Sequence, residues 1–381
     1  MHNRIVGLVT AIVLAAHPAV GEPAATKAPK APPSDVVVET YASGLENPWG
    51  LAFLSDGRAL VTERPGRIRI VARDGKLSAP LDGVPAVYAE GQGGLLDIAL
   101  APDFEASRLV YISYAEPRGG GRSGTSVARG RLKEDAGAAR LEAVEVVFRQ
   151  EPAVASAFHF GSRLVFADDG SLFITTGDRG SQRAAVQDPK VPIGKVLRVA
   201  ADGRPLAGLA RPDGWDPRVW SMGHRNIQGA AIDRRTGRLW TVEHGARGGD
   251  ELNSPELGKN YGWPVITYGR DYSGARIGEG TSKPGLEQPV YYWDPSIATS
   301  GLAIYDGELF AGWKGSILVG GLAGARLSRL VVEDGRVIAE EVLLADRGDR
   351  IRDVRQGPDG AVYVLTDERR GEILRLTPRR R

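Results

Sequence analysis

A strand–turn–strand unit recurs six times along this chain and limits the folds that it can adopt. Each copy has a short apolar run, a turn that is usually Asp-Gly, and a second apolar run. The copies begin near residues 49, 94, 161, 228, 301 and 351, and the fifth pairs 301–304 with 309–310. No long helical period competes with this alternation. The repeat predicts an all-β protein, a six-bladed β-propeller with four-stranded antiparallel blades.

The two ends of the repeat region are predicted to meet in one blade. Residues 36–41 and 373–376 both have the composition of strands, and their pairing would remove an open sheet edge. We therefore expect a single propeller domain over residues 35–378. The copies near 161, 229 and 301 are separated by larger insertions, which repeat folds tend to place on the binding face.

The N-terminal segment has the features of an export signal. Residues 2–4 are polar and basic, residues 5–16 form an apolar run too short to span a bilayer, and residues 19–21 form a small-x-small cleavage site. We expect a signal peptide over 1–21, a disordered Ala/Pro/Lys tether over 22–34, and a periplasmic location with no membrane span. The net charge of +2 gives no reason to expect a nucleic-acid partner, and without cysteine the chain can form no disulfide.

Polar and charged side chains are concentrated among glycines between residues 223 and 264. Asp250 and Glu251 supply oxygen ligands of the kind that calcium prefers. Arg225, Asn226 and Gln228 supply donors suited to an anionic ligand rich in carbonyl groups. The same composition also fits a solvated polar loop that is closed by surface ion pairs.

Two further sets of residues are candidates for chemistry. Arg350 and Arg352 alternate with apolar residues and so share one face of a strand, where an anionic ligand explains their pairing better than a solvated edge does. His159 is a candidate general base because an unperturbed histidine has a pKa near ~6.5, although a lone histidine is more often structural. His224 and His244 could complete a metal triad with it, but their spacing does not support one.

Eight short motifs, taken together, are similar to those of a known protein family. They are NPWG at 47–50, EGQGGLLD at 90–97, HFGSRL at 159–164, GKVLR at 194–198, GHRNIQG at 223–229, DELN at 250–253, NYGWP at 260–264 and RIRDV at 350–354. Their types and order resemble the soluble glucose/sorbosone dehydrogenases that depend on pyrroloquinoline quinone (PQQ), especially the aldose sugar dehydrogenase branch. The resemblance covers about residues 36 to 377.

This resemblance implies an oxidoreductase that uses PQQ and calcium to oxidise aldoses at the anomeric carbon to lactones. It implies that His159, as the base, and Arg225 are the catalytic residues, and that Gln92 lines the sugar pocket. The implied cofactor contacts are Arg225, Asn226, Gln228, Arg350, Arg352 and Thr366. The implied calcium ligands are the carbonyls of Gly245 and Ala246 at the cofactor, and Asp250, Glu251 and Tyr261 in a second, structural region. The implied partners are an aldose and an electron acceptor, a quinone or a redox protein, and we expect a monomer or homodimer.

The chain departs from the glucose dehydrogenase pattern at three places. The fifth blade has Leu322, Ala323 and Gly324 where that branch has a lysine on the cofactor. Phe158 replaces an acidic residue before the base, and Ala246 replaces a proline.

Two other functions stay open: a calcium-dependent propeller lactonase or esterase, and a non-catalytic propeller that binds a sugar or a protein. The arginines argue against the hydrolase, which would need a metal-bound water and no cluster of cations.

Overall fold

The computed structural model describes residues 25–135 and 137–379. The predicted signal peptide and the first residues of the predicted tether lie outside these ranges. Within them, no helix has the length and apolar composition needed to cross a bilayer. The strands from Val36 to Pro378 form six small sheets, which confirms the predicted six-bladed β-propeller.

Apart from β1 and β16, the strands of each blade follow one another along the chain. Four sheets have four strands, the first has three and the third has five. The first strand, β1 (Val36–Leu45), joins the last blade. Blade one contains β2 (Pro48–Phe53), β3 (Ala59–Glu63) and β4 (Arg67–Val71). Blade two contains β5 (Leu95–Leu100), β6 (Leu109–Pro117), β7 (Ser123–Asp135) and β8 (Ala138–Arg149), with the helical turn α1 (Phe104–Ser107) between β5 and β6. Blade three contains β9 (Leu164–Phe166), β10 (Leu172–Thr175), β11 (Lys195–Val199) and β12 (Val219–Met222), with the turn α2 (Arg183–Val186) between β10 and β11.

The last three blades are arranged in the same way. Blade four contains β13 (Ile227–Asp233), β14 (Arg238–Glu243), β15 (Asp250–Asn253) and, after β16 (Lys259–Asn260), β17 (Tyr291–Trp293). Strand β16 pairs in parallel with β12 and so extends blade three. Blade five contains β18 (Thr299–Ile304), β19 (Ile317–Gly321), β20 (Arg326–Glu333) and β21 (Arg336–Leu343), and blade six contains β22 (Ile351–Gln356), β23 (Val362–Thr366) and β24 (Gly371–Pro378).

Strand β1 completes blade six by pairing with β24, as the sequence predicted. The pairing is antiparallel and runs from Val36 opposite Pro378 to Leu45 opposite Gly371. The first strands of the blades, β2, β5, β9, β13, β18 and β22, lie next to one another in a ring, with β22 beside β2. These strands surround the central channel, and the apolar side chains between neighbouring sheets form the core.

Two sequence predictions differ from the structure. Residues 309–310 are not the second strand of blade five, because the chain forms a loop there in which Phe310 stacks on Trp313 at 4.1 Å between ring centroids. The second strand is β19 instead.

The predicted tether is also ordered in its described part, residues 25–34. Ala25 forms a parallel bridge with Tyr291, Lys30 forms one with Glu340, and the Ser34 hydroxyl bonds to a carboxylate. Backbone groups of this segment find partners on blades four and five, so composition alone was a poor guide to its order.

Candidate active site

A cavity of about 290 Å³ lies at the end of the channel where the first strands of the blades begin. Its lining residues come from all six blades: Trp49, Arg64, Gln92, Leu96, Phe160, Gly161, Gln228, His244, Ala298, Leu322, Arg350, Arg352 and Asp367. Four residues that the sequence analysis singled out, Gln92, Gln228, Arg350 and Arg352, therefore share one cavity although they lie far apart in the chain. Propeller closure is what brings them together.

His159 does not line this cavity itself, but it precedes Phe160, which does, and it is fixed by its backbone and by its ring. Its φ of 52° is in the left-handed region, and its backbone N–H donates to the side-chain oxygen of Gln92 at 2.9 Å. Nδ1 lies 2.6 Å from Oδ1 of Asp178. Asp178 is held in turn by Nε1 of Trp263 at 2.8 Å and the backbone N–H of Gly180 at 2.7 Å. The carboxylate fixes the proton on Nδ1, so Nε2 is left as an acceptor.

The electrostatics of this pair favour a neutral imidazole beside an ionised carboxylate. Burial lowers the pKa of His159, the hydrogen bond to Asp178 opposes that effect, and the charge of Arg225 lowers it further. Burial would raise the pKa of Asp178, but the hydrogen bond and charge of His159, together with Arg225, hold it below its ordinary value. Phe158, before the base, leaves 54% of its surface exposed and forms an apolar wall next to the histidine ring.

The residues from 225 to 228 form a network between blades three and four. The backbone N–H of Arg225 donates to Glu243 at 2.6 Å, and its Nη1 donates to the carbonyl of Gly245. The side-chain oxygen of Asn226 accepts from the backbone of Gly161 at 3.1 Å and from Nε2 of Gln228 at 3.2 Å. Nε of Arg225 and Nδ2 of Asn226 are buried and have no hydrogen-bond partner among the described residues.

Arg350 and Arg352 converge on a carboxylate that the sequence analysis did not identify. Nη2 of Arg352 donates to Oδ2 of Asp367 at 2.8 Å, and Nη2 of Arg350 lies 3.5 Å from the same atom. Nη1 of Arg352 donates to Gln228 at 3.1 Å. Burial would raise the pKa of Asp367, but the arginines, Arg352 first among them, lower it to about 2. In the sequence Asp367 is a lone acidic residue. Only the pairing of β22 with β23 brings it opposite the arginines.

These residues fit an anionic ligand with several oxygen atoms. Nε of Arg352 and Nε of Arg64 are buried without partners in the described part of the chain, as are the donors of Arg225 and Asn226 noted above. Buried donors of this kind normally have partners, and unpaired ones point to a group that supplies acceptors. Carboxylates and quinone carbonyls are such acceptors, so the donor set agrees with PQQ.

The floor of the site is a buried cluster of charges that sequence reasoning missed. Nη1 of Arg163 lies 3.0 Å from both Asp97 and Asp353, and its guanidinium stacks 4.1 Å from the ring centre of Trp49. Nε of the same arginine donates to the carbonyl of Gln228 at 2.5 Å. Arg163 thus joins the inner strands of blades one to four and six beneath the cavity.

Gly245 and Ala246, whose carbonyls were predicted to bind calcium, lie in the turn between β14 and β15. The Gly245 carbonyl accepts from Arg225, and the Gly245 N–H donates to Oδ1 of Asp250 at 2.9 Å. Ala246 is buried in an apolar cluster that includes Trp263. Thr366 was predicted near the cofactor, but it does not line the cavity, and its hydroxyl accepts from the backbone of Glu372 at 2.9 Å.

Asp250 has protein partners where a metal was predicted. Its carboxylate accepts from the backbone N–H groups of Gly245, Ile297 and Thr299 and from the hydroxyl of Ser296, at 2.7 to 3.3 Å. Burial raises its pKa, and the hydrogen bonds, of which that from Ser296 is the largest, oppose the rise. Asp250 thus anchors the loop between β17 and β18 to β15, and its role as a calcium ligand stays a prediction.

Glu251 points to the other face of β15, because side chains alternate along a strand. It lies opposite Glu243 on β14, and the amide of Asn253 donates to both carboxylates, at 3.0 and 3.1 Å. Burial and then the charge of Glu243 raise the pKa of Glu251 to about 8. The side-chain oxygen of Asn253 is buried without a partner in the described ranges. Two facing carboxylates and an unpaired amide oxygen are a donor set that suits calcium.

Tyr261 and His224 border the same region. The tyrosine hydroxyl donates to the carbonyl of Ser254 at 2.6 Å, and its ring stacks on His224 at 4.9 Å between centroids. His224 bonds to Glu243 at 2.8 Å and to Ser221 at 2.9 Å. His244 bonds to the carbonyl of Thr299 instead. The three histidines thus have separate partners, and no group of three or more His, Asp or Glu side chains in the described residues has the geometry of a metal site.

Several proteins that are similar to this chain in sequence and shape are named as sugar dehydrogenases. Residues 45–375 match the profile of the glucose/sorbosone dehydrogenase family. Aldose sugar dehydrogenase YliI of Escherichia coli is 45% identical over 354 residues, which cover 92% of this chain and 95% of that protein. The crystal structure of the soluble aldose sugar dehydrogenase from Escherichia coli in its apo form has a TM-score of 0.86, with 90% of this chain and all of the other covered.

A third comparison concerns a structure with the cofactor bound. The PQQ-bound aldose sugar dehydrogenase from Streptomyces coelicolor is 32% identical to this chain, has a TM-score of 0.74, and covers 91% of this chain with its full length. The family match spans most of the chain, and the propeller places the motif residues around one cavity. The chain belongs to the glucose/sorbosone dehydrogenase family.

Proposed function

We propose that this protein oxidises aldose sugars at the anomeric carbon to lactones, with PQQ and calcium as cofactors, in the periplasm. The observation that carries the proposal is the His159–Asp178 pair next to a cavity that is lined by three arginines. Nε of Arg64 and Nε of Arg352 are buried there without partners among the described residues. A base with a free Nε2 beside a site for an anionic, carbonyl-rich group is what such an oxidation requires. Electrons would pass to an external acceptor.

The chain's own residues would hold the cofactor by charge and by hydrogen bonds. Arg350 and Arg352 would bind carboxylates of PQQ, and Asp367 keeps both guanidinium groups at the cavity wall. Asn226 and Gln228 would add hydrogen bonds, and Gln228 also accepts one from Nη1 of Arg352 at 3.1 Å. If bound by these residues, PQQ would supply the hydride acceptor, and calcium would supply a Lewis acid.

The proton would be taken by His159. Its Nε2 accepts the proton of the anomeric hydroxyl, while Asp178 stabilises the imidazolium that forms and prevents the ring from rotating. Gln92 fixes the backbone of the base at 2.9 Å, and it lines the cavity where the sugar would stand. The exposed ring of Phe158 gives an apolar surface suited to the C–H face of a sugar.

Calcium would be held at two places. At the cofactor, the carbonyls of Gly245 and Ala246 would bind it, and the bond from Arg225 to Gly245 would then be exchanged for the metal. In the structural region, Glu251 would supply the carboxylate, with the charge of the facing Glu243 favouring a cation. Asp250 is left out of this proposal because its oxygen atoms are used by protein donors.

The test is reconstitution of the purified protein. The apoprotein is incubated with PQQ and calcium chloride, and dye reduction is followed on a panel of aldoses, with each component omitted in turn. We expect turnover only when PQQ, calcium and an aldose are all present, together with formation of the lactone. Absence of turnover on every aldose by a protein that has bound PQQ would contradict the proposal.

A further inference from the structure

Three arginines lie side by side near the cavity. Arg247 is in the turn between β14 and β15, and Arg270 and Arg276 are in the insertion between β16 and β17. Arg247 and Arg270 face each other in an antiparallel ribbon and exchange backbone hydrogen bonds of 2.8 and 3.1 Å. Arg276 forms an antiparallel bridge with Arg270 on the other side. Residues directly opposite in antiparallel ribbons project their side chains from the same face. The three positions therefore form one row, called here the arginine row.

The charge of this row is not neutralised by nearby carboxylates. Across residues 25–135 and 137–379, no carboxylate oxygen lies within 4.0 Å of the Arg247 or Arg270 guanidinium, and both residues are exposed. Asp271, next in the chain, pairs with Arg183 at 3.3 Å instead. Like charges that face each other across a ribbon are destabilising. An anion seated on the row would relieve that repulsion.

The row borders a cleft that adjoins the cofactor cavity. The cleft has a volume of about 720 Å³, and Arg247, Arg270 and Asp294 are among its lining residues. Ala298 lines both the cleft and the cavity. Tyr272, with 72% of its surface exposed, stands at its edge. One carboxylate against two arginines leaves the cleft with a positive balance.

The cleft lies away from the side where the sugar is proposed to bind. Gln92 and His159 belong to the segments that begin blades two and three, whereas the cleft is built on blades four and five. Blades two and five are opposite each other in a ring of six. A neutral aldose is not attracted by a row of cations. An anionic second reactant that takes part in the same reaction would be attracted by one.

We propose that the arginine row binds a small anionic electron acceptor in the cleft next to the cavity. The inference rests on the proposed function, because only an oxidation needs such an acceptor. Conversion of one aldose to its lactone releases two electrons and two protons. Two ferricyanide ions, used here as the probe, each take one electron and become ferrocyanide, and the two protons go to solvent. The row raises the local concentration of the anion and orients its approach.

The first arm of the test needs no turnover. Ferrocyanide is titrated by calorimetry onto the apoprotein, its Arg247→Gln/Arg270→Gln variant, and an Arg234→Gln/Arg369→Gln variant. The last variant removes the same net charge at exposed positions elsewhere. We expect affinity to fall about tenfold or more in the first variant and to stay within about twofold in the second, because two charge-assisted contacts are lost only in the first.

The second arm measures turnover of the holoenzyme loaded with PQQ and calcium. With ferricyanide, kcat/KM should fall and depend less on ionic strength in the Arg247→Gln/Arg270→Gln variant. With the cation hexaammineruthenium(III), it should not fall. If sugars are oxidised but this variant matches its control in both arms, the inference is overturned and the proposed function stands. If the holoenzyme oxidises no sugar, the proposed function fails and the acceptor role fails with it.

Discussion

Asp178 lies 2.6 Å from Nδ1 of His159 and thereby determines which nitrogen of the ring is left to accept a proton. The carboxylate is itself held by Nε1 of Trp263 and by the backbone N–H of Gly180. These contacts, together with the histidine's own backbone, set the orientation of the imidazole. This relationship separates a base poised for proton transfer from a histidine that merely closes a turn.

Replacing Asp178 by Asn should lower kcat by about tenfold or more and change the pH profile. The carboxylate favours the charged imidazolium, so its loss should lower the pKa of His159 further. Activity needs the neutral base, and the acid limb of kcat/KM should therefore move to lower pH. In the native protein this limb should already lie below the ordinary histidine value of about 6.5, because burial lowers the pKa. A profile that stays in place, at unchanged kcat, would show that Asp178 does not act on the base.

His159→Ala should leave PQQ bound and the fold intact while kcat falls by about 10²–10⁴. The physical reason is the loss of the imidazole whose Nδ1 is held by Asp178 and whose Nε2 is left to accept a proton. Turnover and melting temperature are measured on the same preparation. A loss of stability with near-native turnover would instead assign the histidine to closing the turn.

Arg350→Gln should weaken PQQ binding by about tenfold or more, since a ligand carboxylate would lose a charge-assisted partner with a contribution of roughly 1.5–3 kcal/mol. Arg352→Gln should weaken it as well, but it also deprives the buried Asp367 of its closest partner and should lower the melting temperature. Arg369→Gln is the matched control, an exposed arginine of the same blade. Fluorescence quenching on titration with PQQ measures the affinity. Equal affinities in all four proteins would reject the placement of the cofactor.

Chelation of calcium should lower the melting temperature as well as the activity. The reason is the facing pair Glu243 and Glu251: with its pKa raised to about 8, Glu251 retains a proton at neutral pH, and a bound cation would take the place of that proton. Glu251→Gln removes one of the two carboxylates, so added calcium should raise the melting temperature less than it does in the native protein. Differential scanning calorimetry with calcium and magnesium checks this. A native melting temperature that ignores both chelator and calcium would exclude a structural calcium there.

Lys195→Met should destabilise the protein by roughly 1–3 kcal/mol, because several buried carbonyls would lose their donor. Nζ of Lys195 donates to the carbonyls of Ala185, Val186 and Ile193 at 3.1, 2.8 and 2.7 Å. Lys190→Met, at an exposed position of the same segment, is the control. Urea unfolding of both variants measures the difference. A neutral effect at Lys195 would mean that water or backbone rearrangement satisfies these carbonyls.

Regular alternation made the fold predictable from the sequence, and contacts between distant segments limited what could be predicted of the site. Turns built on Asp-Gly and apolar strands located five of the six repeated pairs, but in blade five the apolar pair Leu309-Phe310 belongs to an aromatic cluster with Trp313. Arg350 and Arg352 were found by their shared strand face. Asp367 and Asp178 were missed, because a lone acidic residue acquires meaning only when the fold brings a distant cation or base to it.

Asp250 shows a second limit. Two adjacent acids suggest paired ligands in a sequence, yet in a strand they face opposite ways, and each meets a different environment. One is surrounded by backbone donors and anchors a loop, and the other faces a carboxylate on the next strand. The periodicity of the strand was knowable, but the presence of a strand at 250–253 among so many glycines was not.

The pairing of β1 with β24 has a consequence for the order of folding. Val36 and Pro378 are partners, so the ring cannot close until nearly the whole chain is available, and the earliest strand must wait for the latest one. Contacts of such long sequence separation form slowly, because the loop-closure entropy precedes the gain from pairing. The channel mouth draws residues from every blade, and it therefore becomes a binding site only at the final step. Any partly folded chain would carry the motifs of the site without the ability to hold a cofactor.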